Sequence, residues 1–200
     1  MAPNRITPGG AARRALLLLA ASLAAILALT ACGGSGGGTT TAVPDKAGDA
    51  EILDNVLTRQ MATIGAYDDA LPKLRSRDLA TAREFRAQEQ EHVDAVIKAL
   101  RGLGEKAEPE EEEIESAGLQ TRTDVLDFLY EVESISIADE LRAISHLTAP
   151  WPRSLLGSIA ANQAQHLVLL RRALGARPAE AVPEAFEDGT TPPPSQPAAG

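Results

Sequence analysis

Apolar residues recur at steps of three and four in four long blocks of the chain, and the alternation typical of strands is nearly absent. This pattern predicts amphipathic helices over residues 50–71, 78–103, 121–147 and 152–174. Capping and terminating residues flank these blocks: Pro72, Asp78, Gly104, the pair Thr121 and Asp124, Pro152 and Gly175. We therefore predict an all-α fold, an antiparallel four-helix bundle over residues 50–186.

The connections between the predicted helices differ in length. Short turns at residues 72–77 and 148–151 join helices 1 and 2 and helices 3 and 4, so each pair is expected to form an antiparallel hairpin. Segment 104–120 is long enough to run from one end of a bundle to the other. We predict a long crossover between helices 2 and 3 and interpret its acidic run, residues 110–113, as solvated surface rather than a metal or partner site.

Each predicted helix carries a polar residue inside its apolar stripe. A buried unpaired amide costs about 1–3 kcal/mol and a buried unpaired charge costs more, so these side chains need each other or a ligand. Two carboxylates, two imidazoles and two amides at one level are ligand chemistry for a divalent cation. The six residues are Gln60, Glu89, His92, Glu133, Gln163 and His166.

The spacing of these residues indicates an internal repeat. Glu89 and Gln163 are 74 residues apart, as are His92 and His166. The recurring pieces are QEQEH at 88–92 and NQAQH at 162–166. The two hairpins are therefore predicted to be related by an approximate twofold axis.

These motifs resemble the ferritin-like superfamily, in particular the small exported ferritin-like domains of bacteria. The resemblance covers residues 50–186 and is carried by FRAQEQEH at 85–92, Gln60 with Tyr67, segment 129–133, and ANQAQH at 161–166. Such families place one glutamate on the first and third helices and Glu-x-x-His on the second and fourth, and they bind two iron or manganese ions. The matching residues are Glu89, His92, Glu133 and His166, whereas Gln60 and Gln163 stand where the family has glutamate.

The resemblance implies one metal position at Glu133, Gln163 and His166, a second at Gln60 and His92, and Glu89 as the bridge between them. Glu89 and Glu133 carry only enough charge to neutralise one divalent ion. We therefore predict a single iron or manganese ion near Glu89, Glu133 and His166, with His92 as a further candidate ligand. Gln60 and Gln163 would be degraded ligands that act as weak neutral oxygen donors or supply hydrogen bonds around the ion.

An alternative is a metal-free bundle with a structural or interaction role in the cell envelope. In that case Gln60 and Gln163 would donate hydrogen bonds to Glu89 and Glu133, because amides donate where carboxylates cannot. Tyr67 is expected in the core with its hydroxyl bonded to this network. No catalytic residue is assigned under either hypothesis.

The N-terminal segment is typical of an export signal. Arginines precede an uncharged apolar run at 15–29, which is shorter than the roughly 20 residues of a membrane-spanning helix, and small residues follow it. We predict a signal peptide over residues 1–31, exported by the Sec or the twin-arginine route. The sequence LTAC at 29–32 resembles the bacterial lipobox, which implies diacylation at Cys32 and anchoring to the extracytoplasmic face of the cell membrane. An ordinary secreted protein is the alternative.

The segments that flank the predicted bundle are poor in apolar residues. Residues 32–49 are predicted to form a lipidated flexible tether, and residues 187–200 a disordered Pro-rich tail. Without residues 1–31 the chain retains 16 of its 19 basic residues and all 28 acidic ones, which gives a formal charge of −12. This charge disfavours nucleic-acid binding. A homo-oligomer is compatible with the sequence.

Overall fold

Four α-helices make up most of residues 43–182, the part of the chain that this computed structural model describes. Helix α1 spans Lys46–Ala70 and is extended by a 3-10 turn at Leu71–Lys73; α2 spans Ser76–Leu103, α3 Arg122–His146 and α4 Pro150–Ala173. No strand occurs among the described residues. The prediction of an all-α four-helix bundle is confirmed. The predicted signal peptide, Cys32 and the predicted Pro-rich tail lie outside these residues.

Helix α1 begins four residues earlier than predicted, within the segment assigned to the tether. Asp45 caps the helix by accepting a hydrogen bond from the Gly48 amide. Asp49 is buried, and its carboxylate accepts hydrogen bonds from the backbone amides of Thr148 at 2.6 Å and Ala149 at 2.8 Å. Asp49, assigned from the sequence to the end of the tether, thus connects the start of α1 to the turn between α3 and α4 through hydrogen bonds.

Two further helix starts were predicted two residues too late: α2 begins at Ser76 and not at Asp78, and α4 begins at Pro150 and not at Pro152. The other helix ends follow the predicted signals. Thr121 and Asp124 form a reciprocal capping box at the start of α3. Gly104 and Gly175 have φ values of 92° and 103°, the left-handed conformation in which glycine commonly ends a helix. Asp78 lies in the first turn of α2, where it accepts hydrogen bonds from Arg122 at the start of α3.

The predicted crossover runs along α1. The Glu108 amide donates to Asp54, the Glu110 amide donates to Thr58, and Ser116 donates to Asp69, so residues 108–116 follow α1 from its first turns towards its end. The acidic residues 110–113 are exposed, in agreement with their interpretation as solvated surface. Helix α3 therefore starts at the same end of the bundle as α2, and each hairpin is antiparallel.

The core consists of two apolar clusters with a polar layer between them. One cluster is built on residues such as Leu57, Val96 and Leu156, and the other on residues such as Phe85, Leu129 and Leu170. Buried polar side chains separate these clusters along the helices: Gln60, Glu89, Glu133, Glu140, Gln163 and His166. These six side chains share one middle level of the bundle, whereas the buried Asp49 and Arg171 lie near its ends.

Candidate metal centre

Glu89, Glu133 and His166 project from α2, α3 and α4 into this polar layer and meet there. Each offers one ligand atom, and the three atoms lie within 4.8 Å of one another. All three side chains are buried. It is the one such group of His, Cys, Asp or Glu among the described residues. Two carboxylates and an imidazole form a donor set that suits iron, manganese or zinc.

Burial shifts the acid–base properties of all three groups towards their neutral forms. It raises the pKa of Glu133 to about 8. The pKa of Glu89 is also raised, by burial and then by the nearby Glu133 carboxylate. Burial lowers the pKa of His166 to about 4. A divalent cation at this position would reverse these shifts for the carboxyl groups, because it stabilises their ionised forms.

The hydrogen bonds around the carboxylates leave one oxygen of each without a donor. Glu89 Oε2 accepts from Gln163 Nε2 at 3.2 Å and lies 3.2 Å from His92 Nδ1. Glu133 Oε1 accepts from the Tyr67 hydroxyl at 2.5 Å. The buried atoms Glu89 Oε1 and Glu133 Oε2 have no hydrogen-bond partner. Buried carboxylate oxygens without donors are what a cation neutralises, so these residues fit a divalent metal ion.

Aromatic side chains form an apolar wall beside the group. The Phe85 ring stacks on the His166 imidazole with a centroid distance of 3.9 Å and an interplanar angle of 19°. Tyr67 meets the same phenylalanine edge to face at 6.5 Å. Phe85 lies one turn before Glu89 on α2, so its ring stands beside the Glu-Glu-His group. Because this ring stacks on the buried imidazole, it restricts both the rotation of His166 and its contact with water.

The structure separates the predicted site residues into two sets. It brings Glu89, Glu133, His166 and Gln163 together, whereas His92 lies beside Glu89 and outside the Glu-Glu-His group. A role for His92 as a ligand stays a prediction. Gln60 lies elsewhere in the polar layer, where its Nε2 donates to Glu140 Oε1 at 2.6 Å and not to Glu89 or Glu133, the acceptors expected for it in a metal-free bundle.

Sequence reasoning missed Glu140, the third carboxyl group of the polar layer. A four-residue step after Ile137 predicts that Leu141 faces the core, but its exposed fraction is 43% and Glu140 is buried instead. Burial raises the pKa of Glu140 well above its ordinary value, and Glu89 and Glu133 add to the effect. A step of three after Ile137 would have pointed to Glu140 and then to Ile144.

Glu140 belongs to a ladder of polar pairs between α1 and α3. Gln60 pairs with Glu140, the hydroxyls of Thr63 and Ser136 are 3.0 Å apart, and Tyr67 pairs with Glu133. The partners run in antiparallel register along the two helices. This ladder fixes the position of Glu133 on the α1 side and extends the polar layer away from the Glu-Glu-His group.

Comparison with known proteins identifies the type of bundle. The model of a family described as the ferritin-like domain matches residues 48–176. Dps from Listeria monocytogenes is similar in structure, with a TM-score of 0.58 and 15% sequence identity over 66% of this chain and 96% of that chain. A Dps mutant from Listeria innocua has a TM-score of 0.56 and 14% identity over 66% and 96% of the two chains.

A third similar structure is that of ferritin-like, diiron-carboxylate proteins from Bacillus anthracis str. Ames. Its TM-score is 0.54, with 17% identity over 66% of this chain and 98% of that chain. No curated protein matches the chain in sequence. At these identities the structural likeness shows a shared fold, and the predicted ferritin-like type of the bundle is confirmed.

Proposed function

Because the chain belongs to the ferritin-like domain family, we propose that it binds one divalent metal ion, iron or manganese, at the centre of the bundle. The ion would be held by Glu89, Glu133 and His166. Its role would be metal handling or oxidative defence in the cell envelope. Bound iron or manganese supplies one-electron redox chemistry.

The observation that carries this proposal is the pair of buried oxygens, Glu89 Oε1 and Glu133 Oε2, that face no donor beside a buried imidazole. Two carboxylates balance the charge of one divalent ion. Gln163 is neutral and already donates to Glu89, so it adds no charge for a second ion. Tyr67 holds Glu133 in place, and Phe85 keeps water from the imidazole.

The proposed location is the extracytoplasmic face of the cell membrane, with a lipid anchor on Cys32. Its support is the lipobox-like sequence at 29–32 and the Gly- and Thr-rich segment that follows the cysteine. Within residues 43–182 no helix combines the length and the hydrophobicity needed to span a bilayer. Self-association of the bundle is also part of the proposal, and analytical ultracentrifugation of the mature protein tests it.

A metal-free interaction module is the second candidate, and the polar ladder is the observation that favours it. Gln60 donates to Glu140, Tyr67 to Glu133 and Gln163 to Glu89, so each buried carboxyl group has at least one donor. A Glu133 side chain with a pKa of about 8 would be mostly protonated at neutral pH and would carry no buried charge. The bundle would then serve as a structural or interaction module.

Elemental analysis of the purified mature protein, reconstituted with Fe²⁺ or Mn²⁺ and freed of excess metal, separates the two candidates. The metal-binding proposal predicts about one ion per chain and a melting temperature that rises with metal. Glu133→Gln should abolish both effects, whereas Glu131→Gln, an exposed change on the same helix, should alter neither. A trace metal content and an unchanged melting temperature would favour the interaction module.

A further inference from the structure

We propose that Gln88 is a positioning residue that makes His166, rather than His92, the imidazole ligand of the bound metal. This inference rests on the proposed metal-binding function. The Gln88 side chain reaches from α2 to α4, where its Oε1 lies 2.8 Å from His166 Nε2. The nitrogen on the other side of the same ring, Nδ1, faces the two carboxylates.

The orientation of the Gln88 amide follows from its second contact. Its Nε2 donates to the Glu84 carboxylate at 3.3 Å, one turn earlier on α2, which leaves Oε1 towards the imidazole. An amide oxygen can only accept a hydrogen bond, so His166 Nε2 must carry a proton. In the neutral imidazole the lone pair then lies on Nδ1.

The Nδ1 lone pair points at oxygen atoms that also carry lone pairs. Nδ1 is 2.9 Å from Glu133 Oε1 and 3.5 Å from Glu89 Oε1. Three acceptors at these distances repel one another unless a proton or a cation lies among them. The Gln88 contact thus presents an imidazole nitrogen in the form that a metal ion requires, and the Phe85 stack holds the ring in that orientation.

His92 lacks the equivalent support. In the internal repeat Asn162 is the counterpart of Gln88, and its side chain is one methylene shorter. Asn162 Oδ1 is buried without a hydrogen-bond partner, so it does not reach the second imidazole. His92 instead places Nδ1 3.2 Å from Glu89 Oε2 on its own helix. A proton on Nδ1 satisfies that contact, which gives His92 the tautomer opposite to that of His166.

Titration of Mn²⁺ into the metal-free mature protein in detergent tests the role of Gln88. Gln88→Leu removes the acceptor and should weaken Mn²⁺ binding about tenfold or more, the usual effect of losing such a supporting contact. Gln88→Glu retains an acceptor and should bind within a few-fold of the parent protein. Gln90→Leu is the matched control, since Gln90 lies on the same helix and bonds only to Asp94. Unchanged affinity in Gln88→Leu would overturn the proposal.

The imidazole tautomer gives a readout that a purely structural role would not move, and its first prediction concerns the parent protein with Gln88 in place. Long-range ¹H–¹⁵N NMR of the metal-free protein should show His166 protonated on Nε2 and His92 on Nδ1, with His166→Gln used for assignment. Gln88→Leu should populate the other His166 tautomer. A parent His166 protonated on Nδ1 would contradict the inference. If Glu133→Gln abolishes metal binding while the Gln88 variants bind normally, the proposed function stands and this inference fails.

Discussion

Gln60 Nε2 donates to Glu140 Oε1 at 2.6 Å, and both side chains are buried. The amide stands on α1 where the family resemblance places a glutamate, and the carboxyl group stands opposite on α3. The polar layer therefore contains three carboxyl groups, but only Glu89 and Glu133 share the candidate metal position. Glu140 is matched by an amide donor instead.

Exchanging the amide and the carboxyl group between positions 60 and 140 should show that the two side chains depend on each other. Gln60→Glu places two buried carboxyl groups in contact, which must share a proton or repel each other. We expect the free energy of unfolding at neutral pH to fall by about 2–4 kcal/mol, a magnitude typical of a buried unpaired charge. Adding Glu140→Gln restores one amide and one carboxyl group and should recover most of the loss. Chemical denaturation of both variants measures this coupling, and additive losses in the double variant would refute it.

The metal-free protein should lose stability as the pH rises from 6.5 to 8. The pKa of Glu133 is about 8 in the folded protein, against an ordinary value of 4.5. Between these pH values the folded protein keeps a proton that the unfolded chain has released, so a rise in pH favours unfolding. His166, with a folded pKa of about 4 against 6.5, acts in the opposite direction but only below pH 6.5. Above that pH only raised carboxyl pKa values act, and those of Glu89 and Glu140 act in the same direction as that of Glu133. We expect Glu133 alone to lower the unfolding free energy by about 1–2 kcal/mol.

Urea denaturation at several pH values checks this dependence. Glu133→Gln should make the slope smaller, because an amide does not titrate, and the buried Glu89 and Glu140 should account for the slope that remains. Saturating Mn²⁺ should also flatten it, since a metal displaces the proton from the carboxyl group. A metal-free parent protein whose stability is constant or increases from pH 6.5 to 8 would show that Glu133 is ionised without metal.

Asp49 should be one of the most sensitive polar positions outside the candidate metal centre. Asp49→Ala leaves the backbone amides of Thr148 and Ala149 without their acceptor at the end of the bundle. Unsatisfied buried donors cost about 1–3 kcal/mol, so we expect a loss of that size in unfolding free energy with metal stoichiometry unchanged. Glu51→Ala, an exposed change on the same helix, should stay within about 0.5 kcal/mol of the parent protein. Equal effects of the two substitutions would exclude the role given to Asp49.

The fold was predictable because its signals are local. Apolar steps of three and four define each helix, and residues such as Gly104 and Thr121 end or begin helices through contacts with their immediate neighbours. The start of α1 was misplaced because Asp49 is satisfied by Thr148, 99 residues away, and in the sequence it reads as one more polar residue of a tether.

For the candidate metal centre, the sequence predicted which polar residues face the interior of the bundle. It did not predict which of these side chains pair with each other. Glu89, Glu133 and His166 lie on the apolar stripes, so helical spacing was sufficient to find them. Glu140 was missed because the hydrophobic Leu141 next to it fits a four-residue step equally well. The pairing of Gln60 with Glu140 and of Gln88 with His166 depends on the rotation of packed helices, which one-dimensional spacing does not determine.

Anomalous X-ray scattering from crystals of the Mn²⁺-loaded protein, recorded on both sides of the manganese absorption edge, tests the central claim most directly. We expect one peak per chain, within about 2.0–2.3 Å of oxygen atoms of Glu89 and Glu133 and of His166 Nδ1. A peak at another place in the bundle, or none in crystals grown with saturating Mn²⁺, would contradict the assignment of these three residues as the metal ligands.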